Sequence, residues 1–141
     1  MVPCSTLTLS KLGYNLRVAY TVIHPVELEF VDRGDGSGRT LAPISDRLTH
    51  TRAKFWRYPP GTRGKRHAEH LQEEVFVVLE GNAAIDLGDP AERHELPRGS
   101  VCVVQPGTPL QLRNDGDEDV LFFIVGAPPE DGGADYFPDV D

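Results

Sequence analysis

Short apolar segments separated by clusters of proline and glycine are the feature that most constrains the fold of this chain. The 141 residues include 14 glycines and 12 prolines, and many of these stand together in clusters such as PPG, PGTP and APPEDGG. The segments between the clusters are rich in β-branched and aromatic residues: VFVVL (75–79), AAIDL (83–87), VCVV (101–104), LQLR (110–113) and VLFFIV (120–125). They are too short for helices, and their regular spacing predicts an all-β sandwich or jelly-roll barrel.

The length of the chain predicts a single domain, because 141 residues supply one hydrophobic core and rarely two. We expect an N-terminal arm over about residues 1–45, a barrel core over about 46–127 and an acidic tail over 128–141. Residues 17–31 can supply one or two further strands, and residues 32–39 read as a flexible loop. The arm either packs on the barrel or exchanges a strand with a neighbouring copy.

Charge and hydropathy exclude several classes of partner. A formal net charge of −8 argues against nucleic acids and anionic membranes, both of which require lysine and arginine to neutralise phosphates. No apolar run is long enough to span a bilayer, and the N-terminus lacks the basic start of a secretory signal, so we expect a cytoplasmic protein. The glycines of GDGSG (34–38) do not open a helix, and no nucleotide cofactor is expected.

A basic stretch over residues 47–66 contrasts with the acidic tail at 128–141. The simplest interpretation is one solvated strand face followed by a turn. The alternative is a local patch that binds either an anionic substrate or the chain's own tail.

Residues 61–81 contain a spaced set of glycine, histidine and glutamate residues. Five residues separate Gly61 from His67, six separate His67 from Glu74, and six more separate Glu74 from Gly81. This spacing resembles the first motif of the cupin superfamily. That motif reads Gly, five residues, His-x-His, three or four residues, Glu, six residues, Gly.

A second segment resembles the second cupin motif. Gly99, Gly107 and Asn114 match its spacing, whereas the proline is shifted by one position to Pro106 and the expected histidine is Leu110. The two motifs together cover roughly residues 55 to 115. The resemblance implies a conical double-stranded β-helix, the jelly-roll barrel of the cupins, and a divalent metal held by two histidines and a glutamate of the first motif and one histidine of the second.

Only part of that ligand set is present here. His67 and Glu74 match the family's first histidine and its glutamate, but Glu69 occupies the second histidine position and His70 lies one residue late. Side chains of a strand alternate between faces, so Glu69 shares a face with His67 and is the better-aimed ligand. If the strand ends earlier, His70 could turn inward instead. Iron, manganese, zinc and nickel ions all suit one of these two sets.

The remaining wall of the predicted cavity is apolar and aromatic. The alternation of PLQLRN places Leu110 and Leu112 on one face, and Phe76 shares the parity of Glu74. Trp56 and Tyr58 share a face with Lys54 and could stack on a planar ligand.

The resemblance to the cupins, together with these residues, implies an enzyme acting on a small organic substrate, through isomerase, cyclase, lyase or oxygenase chemistry. His67 and Glu74 are the expected catalytic residues, and Trp56, Tyr58, Phe76, Leu110 and Leu112 are the expected substrate-binding residues. The alternative is a cupin that binds or senses a small ligand without metal or catalysis. Outward-facing apolar residues in VFVVL (75–79) predict a homodimer.

Overall fold

The computed structural model describes residues 4–9, 16–130 and 132–141, and within them the chain is built almost entirely of β-strands. The strands are β1 Cys4–Leu9, β2 Leu16–Thr21, β3 Val31–Asp32, β4 Thr40–Pro43, β5 Arg52–Tyr58, β6 His67–Glu69, β7 Glu73–Glu80, β8 Ala83–Leu87, β9 Glu92–Leu96, β10 Val101–Val104, β11 Leu110–Arg113, β12 Val120–Ala127 and β13 Ala134–Tyr136. The only helical segments of the described residues are two 3-10 turns, Pro25–Glu27 and Ser45–Arg47.

Two antiparallel sheets form the barrel. The first has the strand order β10-β7-β12-β5-β4-β3, and the second has the order β13-β6-β11-β8-β9. Each of the five apolar segments identified in the sequence lies within one strand of these sheets, which confirms the all-β jelly-roll prediction. In the predicted arm, β1 and β2 pair with each other in a separate two-stranded sheet.

The core lies between the two sheets and follows from the alternation of side chains along each strand. In β12, Val120, Phe122 and Ile124 are buried, whereas the residues between them are only half-buried. Phe76 and Val78 of β7 and Ile85 of β8 complete the contacts across the interior. Burial of these side chains removes apolar area from water and so stabilises the barrel.

The C-terminal segment packs along the second sheet. Strand β13 pairs with β6, and the buried Gln111 amide donates hydrogen bonds to the Gly64 carbonyl (2.8 Å) and to Asp139 Oδ1 (2.9 Å). The Val140 N–H donates to Gln111 Oε1 at 2.9 Å, and Arg63 Nε lies 3.2 Å from Asp139 Oδ2. At this end of the basic stretch, an arginine therefore meets the chain's own acidic tail.

The outer face of the first sheet carries apolar side chains. Val75 and Val77 are half-buried there, while Val101 and Val103 of the edge strand β10 are 60% and 54% exposed. The homodimer that the segment 75–79 predicts stays a prediction, as do the single-domain organisation and the cytoplasmic location. No helix in the described ranges is long and apolar enough to cross a membrane.

Candidate functional site

Strands β6 and β7 bring together one histidine and two glutamates inside the barrel. His67 and Glu69 are alternate residues of β6 and share its inner face, and Glu74 is the second residue of β7. His67 Nε2 lies 3.6 Å from Glu69 Oε1 and 3.7 Å from Glu74 Oε1. One donor atom from each residue lies within 4.8 Å of the other two, so the three side chains could hold one metal ion.

The imidazole of His67 is oriented by the backbone. Its Nδ1 lies 2.9 Å from the Lys65 carbonyl oxygen, so in the neutral ring this nitrogen carries the proton and donates it. The lone pair of Nε2 then faces Glu69 and Glu74. Burial disfavours the charged ring, but Glu74, the Lys65 carbonyl and Glu69 outweigh that cost and raise the pKa of His67.

One carboxylate oxygen of Glu74, Oε1, is buried without a hydrogen bond to any of the described residues. A buried carboxylate oxygen without a partner is costly, and a cation is one way to satisfy it. The chemistry of Glu74 therefore fits a metal ligand.

His70 lies outside this group. Strand β6 ends at Glu69, and the His70 ring is directed away from the other three side chains, with Nε2 at 2.8 Å from Asp135 Oδ1 and Nδ1 at 3.1 Å from the Gly132 carbonyl. Both contacts raise the pKa of His70. Of the two arrangements that the sequence left open, the structure has Glu69 facing inward. The prediction that His70 could be an inward ligand is wrong, because the strand continues as far as Glu69 and the next side chain is directed outward.

A cavity of about 200 Å³ opens beside the three side chains. Its apolar and aromatic lining includes all five residues expected to contact a substrate, namely Trp56, Tyr58, Phe76, Leu110 and Leu112. Leu110 and Leu112 are almost fully buried, and Tyr136 of the C-terminal segment stands at the same cavity with its ring 6.2 Å from that of His67. The histidine and carboxylates are therefore faced by an apolar wall.

Sequence reasoning missed the two arginines of the cavity lining. Arg33 and Arg39, from the predicted flexible loop and its end, line the cavity together with Lys54 and Lys65. The two lysines belong to the basic stretch at 47–66, for which the sequence left open a patch that binds an anionic substrate, and Lys54 also alternates in phase with Trp56 and Tyr58. The arginines reach the cavity because the loop folds back on the barrel, which no local pattern encodes.

Arg39 is held firmly in this lining. Its guanidinium donates to Tyr58 Oη at 3.2 Å and to Asp35 Oδ2 at 2.7 Å, and its Nε donates to Ser37 Oγ at 3.1 Å. The same group stacks on the Trp56 ring at 5.3 Å. The loop that contains Asp35 and Ser37 thereby fixes a cation at the cavity.

Curated relatives match only part of the chain. An uncharacterised protein of Streptomyces coelicolor is 38% identical over 61 residues, which cover 43% of this chain and 55% of that protein. The chain spans about half the length of the curated relatives it matches.

Solved structures share the fold across most of the chain. An uncharacterised conserved protein with a double-stranded beta-helix domain from Klebsiella pneumoniae superposes with a TM-score of 0.69 at 21% identity, covering 83% of this chain and 97% of the other. A sugar phosphate isomerase from a cupin superfamily, from Silicibacter pomeroyi, superposes with a TM-score of 0.66 at 22% identity, covering 75% and 74%. The cupin domain family matches residues 54–126, which hold both motifs and the three inward-facing side chains of His67, Glu69 and Glu74. With more than half of its residues in that match, the chain belongs to the cupin domain family.

Proposed function

We propose that this cupin is a metal-dependent enzyme that acts on a small organic molecule inside the barrel. The observation that carries the proposal is the convergence of His67, Glu69 and Glu74 at one point of the cavity wall. One imidazole nitrogen and two carboxylate oxygens suit Mn²⁺ or Fe²⁺, and Zn²⁺ or Ni²⁺ would accept the same donors. The partnerless Oε1 of Glu74 supports a cation at this point.

Different residues of the cavity would serve substrate binding and catalysis. When bound, the metal would act as a Lewis acid on a substrate oxygen. The apolar wall formed by Phe76, Leu110 and Leu112 excludes water and orients the carbon skeleton. The carboxylate oxygens of Glu69 and Glu74 that do not hold the metal lie partly buried beside the substrate, where they can accept a proton.

Isomerisation, cyclisation, lyase and oxygenase chemistry are all compatible with such a site. The printed name of one structural relative, a sugar phosphate isomerase, is consistent with the first of these. At 22% identity, that likeness supports the barrel and not the reaction.

A second candidate function is binding or sensing of a small ligand without metal. Leu110 supports this alternative, because it replaces the histidine that the family pattern has in the second motif and is almost fully buried in the cavity wall. Metal content separates the two functions.

The decisive experiment is metal analysis of protein purified without chelator, repeated after saturation with Mn²⁺, Fe²⁺, Zn²⁺ or Ni²⁺ in turn. We expect about one ion per chain for the wild type and less than about a tenth of that for Glu74→Gln. Glu73→Gln is the matched control, because Glu73 is adjacent, exposed and bonded to Gln105, and it should retain the wild-type metal content. A wild type that holds none of the four ions would contradict the metal-dependent enzyme and leave the metal-free binder.

A further inference from the structure

The lining of the cavity is positively charged, in contrast with the chain as a whole. The formal net charge of the protein is −8, yet four of the residues around the cavity are cationic, Arg33, Arg39, Lys54 and Lys65. The acidic residues of the same lining are Glu69 and Glu74. The four cations outnumber these two carboxylates, and a divalent cation bound by Glu69 and Glu74 would make the excess of positive charge larger still.

Of the four cations, Lys54 gives the strongest indication of an anionic ligand. It lies in the middle of β5 on the face that lines the cavity, and its Nζ stands 5.6 Å from the centre of the Trp56 ring. The charges that favour its ammonium form are those of Glu74 and Glu69, the two carboxylates of the cavity lining. Burial and the neighbouring Arg52 outweigh these charges and lower the pKa of Lys54, as expected for an ammonium group that is buried beside another cation.

Arg39 stands against the same aromatic ring and is rigidly held. Each of its three nitrogens makes one hydrogen bond, to Ser37, Tyr58 and Asp35. A guanidinium has five N–H donors, so two remain for a ligand. Lys54 and Arg39 thus place an ammonium and a fixed guanidinium around the Trp56 ring, on the wall of a cavity that also contains His67, Glu69 and Glu74.

We propose that Lys54 and Arg39 bind the negatively charged oxyanion group of the substrate, so that the cavity selects small organic acids or phosphate esters over neutral molecules. This inference rests on the proposed function in one respect, which is that the bound anion is called a substrate. Binding of the oxyanion itself needs only the two cations. Charge-assisted hydrogen bonds from both side chains orient that group, and the remainder of the molecule extends toward the two glutamates and His67.

Trp56 is the single tryptophan of the chain and supplies a direct readout. Metal-free protein is titrated at low ionic strength with inorganic phosphate and, separately, with malonate, while Trp56 fluorescence is followed. We expect a saturable change with at least one of the two anions, and Lys54→Gln should weaken its affinity about tenfold or more, or ~1.4 kcal/mol. Saturation by phosphate alone identifies a phosphate ester, and saturation by malonate alone identifies a carboxylic acid.

Arg57→Gln is the matched control. Arg57 lies in the same strand on the opposite face, near Glu80 and Asp119 at 3.9 and 4.0 Å, and its replacement removes the same unit charge. Its affinity for the anion should equal that of the wild type. The proposal is overturned if neither anion gives a saturable change, if Lys54→Gln binds like the wild type, or if Arg57→Gln is weakened equally.

The same proteins are assayed for metal content and for thermal unfolding. We expect Lys54→Gln to remain folded and to keep its metal, while Glu74→Gln loses metal and still binds the anion. Because the anion titration uses metal-free protein, a wild type without metal would contradict the proposed metal dependence and leave the oxyanion site standing. Should Lys54→Gln unfold, Lys54→Arg replaces it; retained anion affinity in Lys54→Arg supports the site, and a tenfold loss overturns the role of positive charge at this position.

Discussion

Leu110 lies directly across from His67 in the antiparallel pairing of β11 with β6, and both residues line the same cavity. Side chains at directly opposed positions of two strands have neighbouring Cβ atoms. We therefore predict that Leu110→His adds a second imidazole to the metal group and increases affinity for Zn²⁺ or Ni²⁺ about tenfold or more, or ~1.4 kcal/mol. Competition with a chromophoric chelator measures the gain.

Leu112→His is the control for this gain. Leu112 also lines the cavity, but it pairs with Ile85, one strand repeat further along β11. It should leave metal affinity close to the wild-type value. Equal affinities of Leu110→His and wild type would show that position 110 does not reach the metal.

The raised pKa of His67 predicts a pH dependence of metal binding. Only the neutral imidazole can bind a metal, and Glu74, the Lys65 carbonyl and Glu69 stabilise the protonated ring despite its burial. Metal affinity should therefore begin to fall at a higher pH than it would for an ordinary histidine, whose pKa is about 6.5. The apparent dissociation constant of the metal, measured at a series of pH values, bends at the pKa of the metal-free imidazole, and a bend below about 6.5 would contradict the raised pKa.

In the metal-free protein, the stability that His67 contributes should fall as the pH rises, whereas metal affinity rises with pH. A group whose pKa is raised by folding adds stability that is complete below its unfolded pKa and is lost as the pH rises through its folded pKa. The difference in unfolding free energy between wild type and His67→Gln should therefore shrink from slightly acidic to alkaline pH. A difference that grows with pH would contradict this sign.

The sequence predicted the strands and most of the cavity wall because both depend on local alternation. Trp56, Tyr58, Phe76 and Glu74 face inward as their parity in the strands requires. The sequence could not decide whether Glu69 or His70 faces the cavity, since this depends on where a three-residue strand ends.

The two arginines of the cavity lining were missed for a different reason. Arg33 and Arg39 reach the cavity through the folding of the loop between β3 and β4. That path is set by long-range contacts such as the hydrogen bond from Arg39 to Tyr58, 19 residues away. Periodicity over a short window carries no information about it.

Gly81, the last glycine of the first motif, should tolerate no side chain. Its φ is +79°, and a Cβ at this position would lie 2.5 Å from the Asp119 carbonyl oxygen. We predict that Gly81→Ala lowers the free energy of unfolding by roughly 2–5 kcal/mol, from the left-handed backbone and the clash together. Denaturant unfolding measures this loss.

Gly99 separates those two contributions. Its φ is +90°, and a Cβ there would meet nothing within 4 Å. Gly99→Ala should therefore cost only about 1–2 kcal/mol. If both variants lost the same stability, the contact with Asp119 would have no part in the requirement for glycine at position 81.

Gln111 should anchor the C-terminal segment. Its fully buried amide bonds to Gly64, Asp139 and Val140. Gln111→Met keeps the volume but removes all three hydrogen bonds, so the free energy of unfolding should fall by about 1–3 kcal/mol and limited proteolysis of residues 134–141 should accelerate. Gln105→Met, which removes one exposed hydrogen bond to Glu73, should change stability by less than about 0.5 kcal/mol.

Strand β10 should form an interface with a second copy of the chain. It is the edge of the first sheet, its outer backbone groups have no strand partner among the described residues, and its Val101 and Val103 are more than half exposed. A twofold pairing of two β10 edges satisfies the backbone and covers the valines of both copies. Light scattering should give the mass of two chains for the wild type and of one chain for Val101→Lys/Val103→Lys. Val26→Lys removes a valine that is 91% exposed elsewhere and should remain dimeric; a wild type with the mass of one chain would refute the interface.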